Sequence, residues 1–335
     1  MREFLQKKGV KLSPRVYFVT SLSYMALGLF SSLISGLILK TAGEQLGINF
    51  LVEMGQLAMD LMGPAIGVAV AHGLGAPKFV LFASVITGAA GAQLGGPAGS
   101  FLAALVGAEF GKLIAGETKL DILLTPFVTI GAGYLVASYV GPGIDSGVKA
   151  LGDLIMWATD QQPFIMGILV ATLMGLSLTA PISSAAIAFM LGLEGLAAGA
   201  ATVGCSAQMV GFAVASFREN GFAGLISQGI GTSMLQIGNI VKNPRILIPP
   251  TLAGAVLAPF ASVVFKLVNN PAGAGMGTSG LVGQIMTFSV MDFSWRTVTI
   301  VVALHVIAPA IISLALSEGM RKLGWIRWGD MKLEQ

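Results

Sequence analysis

The sequence predicts an all-α polytopic membrane protein, and three observations carry that reading. Of 335 residues, 55% are hydrophobic and only 10% are charged. A soluble domain carries roughly 25% charged residues, so too few are present to cover a water-facing surface. Long apolar runs recur at 16–39, 79–106, 122–140, 164–187, 196–217, 246–265 and 298–316, against the roughly 20 residues that a helical span requires. These runs are continuously apolar. Transmembrane barrel strands would instead show short alternating segments, and only helices or closed barrels satisfy their own backbone inside a bilayer.

The charged residues that do occur are unevenly placed. Residues 1–15 contain Arg2, Lys7, Lys8, Lys11 and Arg15 against Glu3, a net of +4, and residues 321–335 carry a net of +2. Basic residues beside the first and last spans are what the positive-inside rule describes. Both termini are therefore expected in the cytoplasm, with an even number of crossings. This topology explains the pI near 9.0 and leaves no reason to invoke a nucleic-acid partner. The first apolar run is too long for the core of a cleavable signal, and no small-residue cleavage site follows it.

Within the first half the runs are mostly clean. The exception is 88–99 (GAAGAQLGGPAG), too rich in glycine for a comfortable helix interior. The stretch 141–163, with Asp145, Lys149, Asp153 and Asp160, reads as an interfacial amphipathic connector between two halves. Beyond it lie three more breaks. Residues 178–184 (LTAPISS) contain Pro181, which frees a helix carbonyl that Thr179, Ser183 or Ser184 can satisfy. Residues 229–244 (GIGTSMLQIGNIVKNP) hold Thr232, Ser233, Gln236, Asn239 and Asn243. Residues 273–283 (GAGMGTSGLVG) hold Thr278 and Ser279, with Gln284 directly after.

Irregular backbone at membrane depth is tolerated only against protein or a water-filled cavity, and in transporters such breaks line the substrate site. The expected organisation is a scaffold half over residues 1–150 and a substrate half over 151–335.

Other chemistry is largely excluded. No Walker loop occurs, so the chain is not the ATP-hydrolysing part of a pump. His72 and His305 lack metal-ligand spacing. The one cysteine, Cys205, rules out an internal disulfide and a Cys-rich metal site. No metal or other cofactor is expected. The acidic residues Glu53, Asp60, Glu109, Glu194 and Asp292 form no pair at helical spacing in one apolar run, which leaves a proton relay unsupported. The break residues are hydroxyls and carboxamides, which donate and accept and so match the hydroxyls of a neutral sugar or polyol. A plainer role for the amides is to satisfy broken helix ends.

The region 229–244 resembles the signature loop of the membrane-spanning IIC components of the bacterial sugar phosphotransferase system, the glucose/lactose superfamily. There, Gly-Ile-x-Glu-Pro leads to Asn-Pro and then Ile-Pro. Here Gly229-Ile230 and Asn243-Pro244 stand at similar spacing, followed by Ile248-Pro249-Pro250. The stretch 62–74 (MGPAIGVAVAHGL) is similar to the family's proline and Gly-Val-Ala segment, and 277–287 (GTSGLVGQIMT) to its second hairpin. The order agrees along most of the chain.

The resemblance implies about ten transmembrane helices with two re-entrant hairpins, and a homodimeric permease in the bacterial inner membrane whose first half, 1–150, of about five helices, is the dimerisation half. The second half would carry sugar in an elevator-like motion, and a separate cytoplasmic IIB protein would phosphorylate it. No phosphoryl-accepting residue is expected in this chain.

Two departures stand out. Thr232 and Ser233 occupy the places of the signature Glu and Pro, and Ser183 stands where the family's Gly-Ile-His-Gly segment has its histidine. These departures resemble a divergent branch that includes proteins described as regulators of toxin genes. They imply an alternative, a non-transporting sensor or regulator on the same fold. A third reading, an ion or metabolite channel, rests only on the Gly/Thr/Ser-rich breaks. The solute-binding set expected on the permease reading is Ser183, Thr232, Ser233, Gln236, Asn239, Asn243, Thr278 and Ser279.

Overall fold

The computed structural model describes residues 2–333 and is helical throughout, apart from loops and one antiparallel bridge between Gly195 and Asn269. Six helices are long and apolar enough to cross a membrane: Val16–Leu46, Lys78–Ile114, Asp121–Thr159, Gly195–Ala215, Pro244–Val264 and Trp295–Lys322. Asn49–Asp60 and Met62–Gly73, bent by 51°, supply a seventh if taken as one span. This bent pair is not among the apolar runs of the sequence because Glu53 and Asp60 interrupt it. The run 164–187 is divided instead. Its helix Pro163–Thr179 stops at Ala180, which is extended ahead of Pro181, as a residue before proline prefers. The chain separates into two compact units, Met1–Val148 and Lys149–Gln335, with the boundary inside the helix Asp121–Thr159.

In the first unit, small residues set the spacing of the helices. A methyl group added to Gly36 would lie 2.6 Å from the Gly55 carbonyl oxygen, so these two backbones touch, as close-packed membrane helices do. Lys78–Ile114 is not one straight rod. Gly95 and Gly96 leave helical geometry, with Gly96 at φ 60°, a region that glycine enters without cost. The Ser100 hydroxyl then reaches back to the Gly88 carbonyl at 2.5 Å. The glycine-rich stretch 88–99 is thus the reversal between two antiparallel arms, with Gln93 exposed. Each arm has about 17 residues and a length of roughly 26 Å at 1.5 Å per residue.

One end of this unit is tied by ammonium groups. Lys112, 1% exposed, donates to Gly9 O at 3.0 Å, Leu74 O at 3.1 Å and Glu109 Oε1 at 2.9 Å. Lys8 donates to Ala115 O at 2.6 Å and pairs with Glu117. That ammonium holds the Glu117 carboxyl below the usual carboxylate range.

In the second unit, Gly195–Ala215 is the central helix and is buried along almost its whole length. Its apolar face joins Val203 to Leu257, Ala261, Leu267, Ile300, Val301 and Leu304. Near its C-terminal end, Phe212 and Ala215 pack with Ile240, Ile246, Met320, Ile326 and Met331. Gly204 lets Pro163–Thr179 approach so closely that an added methyl would fall on the carbonyl and Cα of Ala171. Neither backbone can yield cheaply in a close-packed interior. Gly204→Ala is therefore expected to destabilise by about 2 kcal/mol, read as a lowered melting temperature of the detergent-purified protein. An unchanged melting temperature would show that the two helices separate freely.

The stretch 269–291 turns back sharply on itself. A short helix, Pro271–Ala274, is capped by the Asn270 side chain, and a tight turn through Ser279–Leu281 leads into Val282–Met291. Asn269, 1% exposed, pins the base of this element. Its Nδ2 lies 2.8 Å from Thr202 Oγ1, 3.0 Å from Gly283 O and 3.0 Å from Thr287 Oγ1 and donates to two of them at a time, and its Oδ1 accepts from Asn270 N.

Candidate functional site

The polar residues of the second unit fall into three neighbouring groups. The first is a set of hydroxyls where three irregular segments meet. After the helix Phe217–Ile226 the chain makes a π-helical turn, Ser227–Gly231, and Thr232 becomes extended. Thr232 Oγ1 then accepts from Met234 N at 3.2 Å and caps the tight turn Ser233–Gln236. This is the usual task of a threonine at a helix start. The cap turns Ser233 inward, and its Oγ meets Thr179 Oγ1 at 2.8 Å.

Thr179 also lies 3.4 Å from Gln208 Oε1 and 3.3 Å from Gly175 O. A hydroxyl has one proton and two acceptor positions, so Thr179 serves one of these at a time. Gln208 in turn donates to Thr251 Oγ1 at 2.8 Å.

The turn of the 269–291 element closes over this loop. Thr278 Oγ1 donates to Gly229 O at 2.5 Å and Ser279 Oγ to Gly231 O at 2.8 Å. From the other side, Ser184 Oγ donates to Gly275 O at 2.7 Å, with Ser183 half-buried beside it. Thr232, Ser233, Thr278 and Ser279 thus lie on irregular segments joined through the 229–231 carbonyls and the Thr232–Ser233 turn, and Ser183 lies next to Ser184, which is joined to the same element through Gly275.

The second group sits just behind. Gln284 Nε2 lies 3.0 Å from His305 Nδ1 and 3.4 Å from Ser206 Oγ. Gln284 Oε1 and His305 Nε2 are buried without a protein partner. His305 stands on a π-helical turn, Ala303–Ile307, in the last long helix, a distortion frequent at functional sites.

The third group comprises Gln236, Asn239 and Asn243, and the structure separates it from the hydroxyls. Gln236 Nε2 donates to Gln228 Oε1 at 2.7 Å and Met331 O at 3.0 Å. Asn239 Nδ2 donates to Gln236 Oε1 at 2.8 Å and Lys332 O at 2.9 Å. Asn243 Nδ2 donates to Trp325 O and Asp330 Oδ2, while its Oδ1 accepts from Arg245 N. An amide has two N–H donors, and all six are spent on the chain itself.

The hydroxyl cluster includes two residues that the sequence reading did not assign to a solute, Gln208 and Thr179. A lone carboxamide inside the apolar run 196–217 was the available signal, because intramembrane polar groups are functional candidates by default. The groups that meet here are all uncharged. Among the described residues, no three His, Cys, Asp or Glu side chains are grouped to hold a metal ion. Long apolar helices with neutral donors and acceptors gathered between them define the class of protein: a polytopic helical membrane protein.

A family model described as "Phosphotransferase system, EIIC" matches residues 19–333. The chain belongs to that family and is a multi-pass membrane component of a sugar phosphotransferase system. Membership implies a sugar as substrate and a cytoplasmic IIB protein as partner. No curated protein and no solved structure matches the chain.

Proposed function

We propose that this chain is the permease that moves a neutral sugar or polyol across the bacterial inner membrane, with both termini in the cytoplasm. The observation that carries the reading is the meeting of Thr179, Ser233, Thr278 and Ser279 at breaks in three separate helical segments, with Gln208 of the central helix beside Thr179. Such breaks bring hydroxyls and free carbonyls together away from lipid, which is the chemistry that a sugar's hydroxyls require. Ser183 and Thr232 complete the proposed solute set, Thr232 through its cap. Gln236, Asn239 and Asn243 join it only if their present partners move.

On this reading the element 269–291 and the segment 180–194 are the two re-entrant hairpins. The second unit carries the solute in an elevator-like movement, while the first holds a homodimer together.

A thermal-stability screen of the purified protein against sugars, polyols and their phosphates tests the proposal, because a ligand that binds only the folded state raises the melting temperature. Ser233→Ala and Thr278→Ala are each expected to weaken binding of the hit about tenfold, the worth of one hydrogen bond. Unchanged affinity in both variants would remove the hydroxyl cluster from the site. Binding without flux in reconstituted vesicles would favour the sensor on the divergent branch, whose motivation is the replacement of the signature Glu by Thr232.

A further inference from the structure

The C-terminal segment 325–333 is held in a groove of the same loop that carries the hydroxyl turn. It follows the last long helix, which ends at Lys322. The Glu219 side chain, 0% exposed, is the centre of the attachment. Its Oε1 accepts from the Arg321 guanidinium at 3.2 Å and from Gly329 N at 2.9 Å, and its Oε2 from Met331 N at 3.1 Å. Asn220 adds both of its groups: Oδ1 accepts from Leu333 N at 2.8 Å and Nδ2 donates to Met331 O at 2.8 Å. The Met331 side chain is fully buried among Phe212, Ile240, Ile246 and Ile326.

The opposite wall of the groove is an amide ladder. Ser216 Oγ accepts from Gln228, Gln228 Oε1 accepts from Gln236, and Gln236 Oε1 accepts from Asn239. The ladder ends on the carbonyls of Met331 and Lys332. Gln236 closes the turn that begins at Ser233, and Ser233 touches Thr179. Two covalently short steps therefore lead from the segment to the hydroxyl cluster.

We propose that segment 325–333 is a latch that fixes the loop 227–243, with Glu219 as a positioning residue acting through the segment on the Ser233 turn. The buried carboxylate is satisfied only while the segment is seated, because two of its four partners are main-chain N–H groups of the segment. Charge-assisted bonds of this kind are about twice as strong as neutral ones, and the rest of the ladder donates to carbonyls that the same seating brings into place. Release of the segment leaves Gln236 and Asn239 each with one unspent N–H donor in the loop that begins at Ser233. The latch concerns the conformation of the loop and stands whatever the solute is.

Hydrogen–deuterium exchange of the full-length protein in detergent tests this. In the wild-type chain the amides of Gly329, Met331 and Leu333 are expected to be protected. In Glu219→Gln, exchange is expected to rise about ten- to a hundredfold both in 325–333 and in 232–242, with the central helix Gly195–Ala215 unchanged. Glu219→Asp should restore part of the protection in both segments together. If the central helix of Glu219→Gln also loses protection, Asn220→Ala, which removes two bonds and no charge, is read by the same criteria. The latch is overturned if 325–333 exchanges freely in the wild type, or if a released segment leaves 232–242 as protected as before.

Discussion

Replacing Lys112 by methionine is expected to cost about 3–5 kcal/mol, the loss typical of removing one partner from a buried ion pair. The ammonium spends its three protons on Gly9 O, Leu74 O and Glu109 Oε1, so the variant loses three bonds at once. Two carbonyls lose their donor, and the Glu109 carboxylate, whose second oxygen already has no partner, is left without its counter-charge. Because the attraction only offsets the cost of burying both charges, the double variant Lys112→Met/Glu109→Gln should recover most of the loss. Melting of the three proteins in one detergent checks this. A double variant as unstable as the single one would show that the carbonyl contacts, and not the stranded carboxylate, carry the energy.

The second large effect is expected at Asn269→Leu, at about 3 kcal/mol. Its side chain makes three bonds at a time, to Asn270 N and to two of Thr202 Oγ1, Gly283 O and Thr287 Oγ1, and a buried donor or acceptor left unpaired costs about 1–3 kcal/mol. Thr202 and Thr287 keep the carbonyls of Ala198 and Gly283 as acceptors, so Asn270 N is the one group left without a replacement for this partner. Since Asn269 pins the base of the element that bears Thr278 and Ser279, solute binding should fall along with stability. Thermal melting and the binding screen on the same preparation separate the two. Full affinity in a destabilised protein would show that the turn holds its shape without its base.

The helical membrane body was legible in composition and in run length, because the bilayer demands continuous apolar helices and leaves little freedom in how they are written. The breaks were legible too, each for a local reason. Pro181 stops a helix, Gly95–Gly96 permits a reversal, and Thr232 caps a turn. What those breaks do was less legible. The stretch 88–99 reads like a polar re-entrant segment, yet its Gln93 is exposed and its glycines serve a reversal and close backbone contacts. Gln236, Asn239 and Asn243 read like solute ligands, and in the fold their donors reach carbonyls and a carboxylate more than 80 residues away. A residue type announces that a polar partner is needed. It does not say whether that partner is a sugar or the chain's own end. Glu219 illustrates the converse: a single acid just past an apolar run looks like an ordinary helix-end charge, and its buried role depends wholly on Arg321, Gly329 and Met331.

The reversal at Gly95–Gly96 has an electrical consequence for the first unit. By sending the chain back, it brings the end of Lys78–Ile114 next to Leu74 and the N-terminal segment, as the bonds of Lys112 and Lys8 record. Lys7, Lys8, Lys11, Arg15, Lys78, Lys112 and Lys119 are thereby gathered at one end of the helices, against Glu109, Glu117 and Asp121. At the other end, residues 43–55 hold Glu44 and Glu53 with no basic residue, and 88–99 hold no charge. The unit is in effect a charged rod with a positive pole. Moving one such charge through a potential of 100 mV is worth about 2.3 kcal/mol, so on the proposed topology an energised membrane, negative inside, holds that pole at its inner face and resists inversion of the unit.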